Sequence, residues 1–209
     1  MGISHPLSRR QMAVLCLSLV LGLLCSALPW GARQLDTGAA LCADTLRLHI
    51  RADSDAVADQ SAKLHVRDAV LAYMDVHCPA GDKADALGWA AQNLFSLQLT
   101  ARHALAELGL HTPVQVRLVN MYFPARQYAG AALPAGRYDA LRIDLGTNDV
   151  YGQNWWCVLY PGLCRSACGG YARPEENDLV CGEYILRFKL VDWWNEHTAR
   201  RETIVLAEG

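Results

Sequence analysis

Two groups of residues have types and spacings that could do chemistry. The first is His49 together with Ala52-Asp53-Ser54-Asp55. Two carboxylates two positions apart can share acid and base work or hold a cation, because each raises the pKa of the other. A histidine close by in sequence adds a group that titrates near neutrality. The plainer reading is local. The acids precede an apolar-periodic segment, where Ser54 or Asp55 is a ready N-cap and negative charge suits the helix dipole. His49 lies on the polar side of an alternating stretch and reads as a surface histidine, since no nucleophile accompanies it at a fixed spacing.

The second group is Asn154-Trp155-Trp156-Cys157-Val158-Leu159-Tyr160-Pro161-Gly162-Leu163-Cys164. Adjacent tryptophans on a strand point to opposite sides. One can pack in the core while the other faces out as a contact anchor. A Cys157–Cys164 disulfide would lock the short loop beside them. The competing reading buries or shields both rings. No Gly-x-Ser-x-Gly elbow, His-Glu-x-x-His, Walker loop or Rossmann fingerprint occurs in the chain.

The elements that must position these groups follow from periodicity. Leu46, Leu48 and Ile50 alternate with Arg47, His49 and Arg51, which predicts a strand. A helix is expected from about Val57 to His77, with Ala62, Val66, Ala69, Val70, Tyr73 and Met74 as its apolar stripe. Lys63, Arg67 and Asp68 read as its solvated face with local ion pairs. Pro79 and Gly81 end it. A second amphipathic helix runs from Asp82 to Leu108, stopped by Gly109. Strands are expected at Val114–Leu118, Leu141–Leu145 and Cys157–Tyr160, with loops over 124–136, 146–152 and 165–182. Residues 183–197 form an apolar, aromatic segment. Its Trp193-Trp194 pair suits a core or a membrane interface. This order predicts an α+β domain: a small antiparallel sheet with two helices packed on one face. The other face is polar, hence wet or covered by something else.

The N-terminus adds a further element. Arg9 and Arg10 precede an apolar run from Met12 to Leu28. Seventeen helical residues span roughly 26 Å, enough for an export signal or a membrane anchor. The expected organisation is a signal or anchor over 1–28, a tether over 29–43, the domain over 44–165, and a C-terminal loop and aromatic tail over 166–209. With 209 residues, 52% of them hydrophobic and 19% charged, the chain can bury a core. A net charge of -2 and the lack of any basic run argue against nucleic acid as a partner. Export makes disulfides the default for Cys157, Cys164, Cys168 and Cys181. Their spacing lacks the paired Cys-x-x-Cys of structural zinc sites, so no metal is expected.

Two long strings in the same order resemble the stage II sporulation protein R family. One runs from Leu46 to Asp55 and on through Asp59-Gln60 and Lys63 to Leu71. The other runs from Tyr138 to Gly146 and on through Gly152-Gln153-Asn154-Trp155-Trp156 to Cys164. With the N-terminal segment, the resemblance covers about residues 10 to 165. The family usually has asparagine at the position of Asp53, phenylalanine at that of Tyr160 and proline at that of Gly162. Membership implies a signalling protein of spore formation, made in the forespore and exported into the space between forespore and mother cell. There it would trigger a membrane-embedded aspartic protease that processes a pro-sigma factor.

The expected function is therefore binding, with no catalytic residue, cofactor or small-molecule substrate. Candidate contact residues are Asn154, Trp155 and Trp156. A second candidate surface comprises Asp53, Ser54, Asp55, Gln60, Lys63, Arg67 and Asp68. The alternatives are an exported cell-wall hydrolase using Asp53, Asp55 or His49, and a passive membrane-tethered structural domain.

Overall fold

The computed structural model describes residues 8–78, 81–128, 131–147, 152–162, 171, 173–181, 185–198 and 204–209, with backbone alone at 131, 177–179, 181 and 185–190. The chain opens with α1 (Arg9–Asp44), 36 residues long and capped by a reciprocal Ser8–Gln11 pair. Its first part is exposed as far as Trp30, and its most apolar window has a mean hydropathy of 2.3. Among the described residues it is the one helix long and apolar enough to cross a membrane. An export signal or an anchor requires such a segment.

Residues 29–43, expected as an aperiodic tether, continue this helix instead. Ala39, Ala40, Leu41 and Ala43 are strong helix formers, and the turn around Gly38, Leu41 and Cys42 is buried against the domain. Burial of that face, which no local pattern displays, makes the segment helical.

The domain follows as β1 (Leu46–Arg51), α2 (Val57–His77), α3 (Lys83–Gln92), α4 (Leu94–Glu107), β2 (Val114–Phe123), β3 (Arg126–Tyr128), β4 (Ala131–Leu133), β5 (Gly136–Leu145) and β6 (Asn154–Tyr160). It closes with α5 (Pro174–Cys181), α6 (Ile185–Thr198) and β7 (Ile204–Glu208). The single helix expected from Asp82 to Leu108 is interrupted at Asn93. Its side-chain amide donates to the Trp89 carbonyl, a local bond that competes with the helical ladder. Gly109 stops α4 as expected, at φ 72°, with Leu110 N–H bonded to Leu105 O and Gly109 N–H to Ala106 O. The loop expected over 124–136 holds the small β3–β4 hairpin. Of the loop expected over 165–182, residues 163–170 and 172 lie outside the described residues, and Pro174–Cys181 is helical.

The main sheet has the order β6-β1-β5-β2-β7. The α+β reading holds, but the sheet is mixed: β1 and β5 run parallel, and the other three pairings are antiparallel. Alternation reports which face a residue takes, not which strand lies beside it.

One face packs Leu46, Leu48, Ile50, Val116, Leu118, Leu141 and Ile143 against α2, α3 and α4. The opposite face, which carries Arg47, His49 and Arg51, is covered at one end by a second layer. Cys42 of α1 joins Val119, Phe123, Tyr138 and Ala140 there. Leu41 joins Leu133, Val158, Tyr171 and Val180. Arg47 is wholly buried, with its guanidinium 4.2 Å from the Phe123 ring centroid and 5.0 Å from that of Tyr138. Two helical layers thus sandwich the sheet.

Close approach of α6 to α1 depends on Gly38. A Cβ at that position would lie 2.7 Å from Val191 Cγ1. Gly38→Val is expected to push the helices apart and to destabilise the domain by about 1–3 kcal/mol. Thermal unfolding of the protein checks this; an unchanged Tm would show that α6 does not need that contact.

Candidate functional site

The two candidate surfaces read from the sequence meet at one corner. It is built where β1 turns into α2 and where the chain enters β6. Ala52 accepts a backbone hydrogen bond from Gly152 N–H at 3.1 Å. The Asp55 carboxylate accepts from Gln153 N–H at 2.7 Å. Gln60 donates from its amide to Ser54 O at 2.8 Å, and Lys63 Nζ donates to Gln153 O at 2.8 Å and to Gln60 Oε1. Two glycines permit the approach. A Cβ at Gly146, whose φ is 95°, would overlap the Asp53 carboxylate, and one at Gly152 would overlap the Ser54 carbonyl.

These bonds revise the helix cap. Ala56, not Ser54 or Asp55, is the N-cap, and no side chain caps it. Ser54 Oγ instead accepts from Ala56 N–H at 3.1 Å and donates to the Asp59 carboxylate, while Asp55 is drawn across to β6. Asp53 meets Gly146 of the β5 end. Lys63 is buried, contrary to the solvated face expected for it. Burial lowers its pKa, with Asp55 opposing and Arg67 assisting. Arg67 pairs with the exposed Asp68 at 2.7 Å.

The clasp delivers Trp155 and Trp156 to opposite faces of β6. Both are half-buried. Trp155 packs on the helix-side core under Arg67, whose guanidinium lies 4.3 Å from the ring centroid. Trp156 packs on the other side against His49 and Phe123, with Arg126 4.4 Å from its ring centroid. A cavity of about 210 Å³ opens beside them, lined by Arg126, Gln127, Tyr128, Asn154, Trp155 and Trp156. Asn154 is exposed. Sequence reading missed Arg126 and Tyr128, because the hairpin that carries them has no strong alternation. Cys157 is disulfide-bonded, whereas Cys16, Cys25, Cys42 and Cys78 are free. Cys164, Cys168 and the side chain of Cys181 lie outside the described residues. Trp193 and Trp194 are exposed on α6.

His49 is not the surface histidine expected. It is buried between Phe123 and Trp156, with ring centroids at 5.9 and 5.8 Å; among the described residues neither ring nitrogen makes a well-formed hydrogen bond, and the Asn154 side chain is the polar group that acts on it. Burial, then the Arg142 and Arg51 charges, push its pKa from 6.5 to about 3, against an opposing pull from Asp144. It is joined to neither Asp53 nor Asp55, so the acid/base couple that a hydrolase needs is not assembled. Next to it, Asp144 is buried among three guanidiniums: Arg51 Nε, Arg117 Nη2 at 2.5 Å and Arg142 Nε at 3.0 Å. Burial raises the Asp144 pKa, but the three arginines outweigh it and hold the carboxyl below its usual value. Among the described residues no group of three or more His, Cys, Asp or Glu could hold a metal.

Two outcomes follow from these burials. The fold holds His49 neutral, whereas an unfolded chain protonates it below pH 6.5. Its contribution to stability is therefore complete above pH 6.5 and falls away as pH drops toward about 3. Glu176, pushed up to about 7 first by burial and then by Asp44, acts in the opposite sense as pH rises. The difference between wild type and His49→Phe isolates the histidine. The variant is expected to lose less stability between pH 6.5 and 4 in urea titrations, and parallel curves would refute the assignment. Lys63→Met strands the Gln153 carbonyl. It is expected to cost about 1–3 kcal/mol and to red-shift tryptophan emission as the corner loosens.

Comparison with known proteins bears on what this corner belongs to. Residues 42–168 match the family model described as stage II sporulation protein R. Stage II sporulation protein R of Bacillus subtilis (strain 168) is 34% identical over 135 residues, which is 64% of this chain and 59% of the relative. No solved structure matches. The matched residues contain the whole clasp, both tryptophans and the hairpin, and the chain belongs to the stage II sporulation protein R family.

Proposed function

We propose that this protein is an exported sporulation signal that acts by binding. Its domain would sit outside the cytoplasm, in the space between forespore and mother cell, delivered or held there by α1. There it would engage the extracytoplasmic part of a membrane-embedded aspartic protease and favour that protein's active form, so that a pro-sigma factor is processed. Such activation is a population shift and needs only differential affinity for two states of the partner. The proposed contact residues are Asn154, Trp155 and Trp156, with Asp53, Ser54, Asp55, Gln60, Lys63, Arg67 and Asp68 as the frame and rim of the same corner. A Cys157–Cys164 disulfide is proposed to restrain the chain after β6.

One observation carries this reading. The two sequence strings that mark the family converge on a single corner, through hydrogen bonds between residues about ninety positions apart. That corner presents half-buried indoles beside a cavity. Aromatic and arginine side chains at such positions dominate binding energy. The hydrolase reading has no comparable support, because His49 is buried and hydrogen-bonds to neither carboxylate.

The test is a double replacement, Trp155→Ala with Trp156→Ala, in a sporulating cell. The expected result is loss of pro-sigma processing with the variant still exported and folded. Normal processing from such a variant would overturn the assignment of the contact to this corner.

A further inference from the structure

β6 is an edge strand: the sheet order places β1 on one side of it, and among the described residues no strand pairs with its other side. Exposed edges are usually blunted by charges, proline or bulges. Asn154-Trp155-Trp156-Cys157-Val158-Leu159-Tyr160 holds no charged residue and no proline. Its pairing with β1 is regular from Asn154 to Val158, the one shift lying toward Tyr160. Cys157, Val158 and Leu159 are buried, so the edge is covered there; the accessible part is Asn154–Trp156, which among the described residues carries none of these protections.

Each flank of this edge carries a guanidinium stacked on a tryptophan. On the helix side Arg67 lies over Trp155, and on the other side Arg126 lies over Trp156. Asp55 is engaged with Gln153 and Asp59 with Ser54, while Asp68 pairs with Arg67 itself in an exposed ion pair of small worth, which a partner carboxylate would share or displace. Tyr128 hydroxyl reaches the Trp156 carbonyl in a long contact of 3.4 Å.

We propose that an extended segment of the partner adds to the outer edge of β6 as a further strand, with carboxylates at two consecutive positions. Main-chain hydrogen bonds supply the affinity of such strand addition, and alternate side chains supply specificity. The partner residue beside Trp155 projects to the helix side and meets Arg67. Its neighbour beside Trp156 projects to the opposite side and meets Arg126. Directly opposed residues on paired strands have Cβ atoms about 5 Å apart, within reach of both guanidiniums. The inference rests on the reading that this corner contacts the partner, and goes beyond it by naming the mode and the recognised chemistry.

The experiment uses the full chain in membranes with the extracytoplasmic region of the protease as probe, read by residue-resolved amide hydrogen exchange and by a photo-crosslinker at position 154. Strand addition predicts slowed exchange at the outward-facing amides of Asn154–Trp156, those not already bonded to β1, and no change at the amides that β1 already bonds. Arg67→Glu and Arg126→Glu are each expected to weaken binding by roughly tenfold. Arginine placed at the matching acidic position of the probe should restore it. Arg67→Gln and Arg126→Gln, with circular dichroism, control for folding. Crosslinking without alternating protection would overturn strand addition and leave the corner contact standing. No crosslinking and no protection would overturn both.

Discussion

The buried ammonium of Lys63 ties the candidate corner together. It leaves α2 and donates to the Gln153 carbonyl at the entrance to β6, with Gln60 as its second acceptor. A buried cation is costly unless its donors are met, so the bond leaves little freedom in where β6 begins. Asp55 reinforces the same junction through Gln153 N–H, and Gly146 and Gly152 let the β1–α2 loop lie against it. The position of both indoles follows. Trp155 and Trp156 stand opposite Ile50 and His49, one on each face of the sheet.

The sheet resolves a second conflict of charge and burial. Its less apolar face carries Arg47, His49, Arg51, Arg117 and Arg142, and Arg51, Arg117 and Arg142 surround the buried carboxylate of Asp144. Aromatic rings shield Arg47, and burial, helped by the Arg142 and Arg51 charges, keeps His49 neutral. Cationic side chains can line a sheet in this way because each finds a ring or a carboxylate, and the second helical layer then closes over one end. Continuation of α1 into that layer joins the apolar N-terminal segment to the domain by a helix rather than by a loose tether.

Family membership covers part of this arrangement. The matched residues, 42–168, include the sheet from β1 to β6 and the three helices on its apolar face. They leave out nearly all of α1, and α5, α6 and β7. The helical layer over the cationic face is thus built largely from parts of the chain that the family model does not describe. The clasp and the tryptophan corner lie wholly inside it.

Much of this was legible in the residues themselves. Period-two alternation located β1, β2 and β5, and it placed Trp155 and Trp156 on opposite faces, because strand geometry alone decides that. Helical periodicity located α2, and Gly109 marked the end of α4. The apolar run after Arg10 marked a segment suited to a membrane. Tertiary structure decided the rest. The parallel β1–β5 pairing, the addition of β7 and the helical state of residues 29–43 depend on neighbours distant in the chain. So does the burial of Arg47, His49 and Lys63, which a local pattern assigns to solvent. A polar side chain carries no local mark of whether a ring, a carboxylate or a carbonyl from elsewhere will satisfy it. Only the folded chain brings the Gln153 carbonyl to Lys63 and the rings of Phe123 and Tyr138 to Arg47.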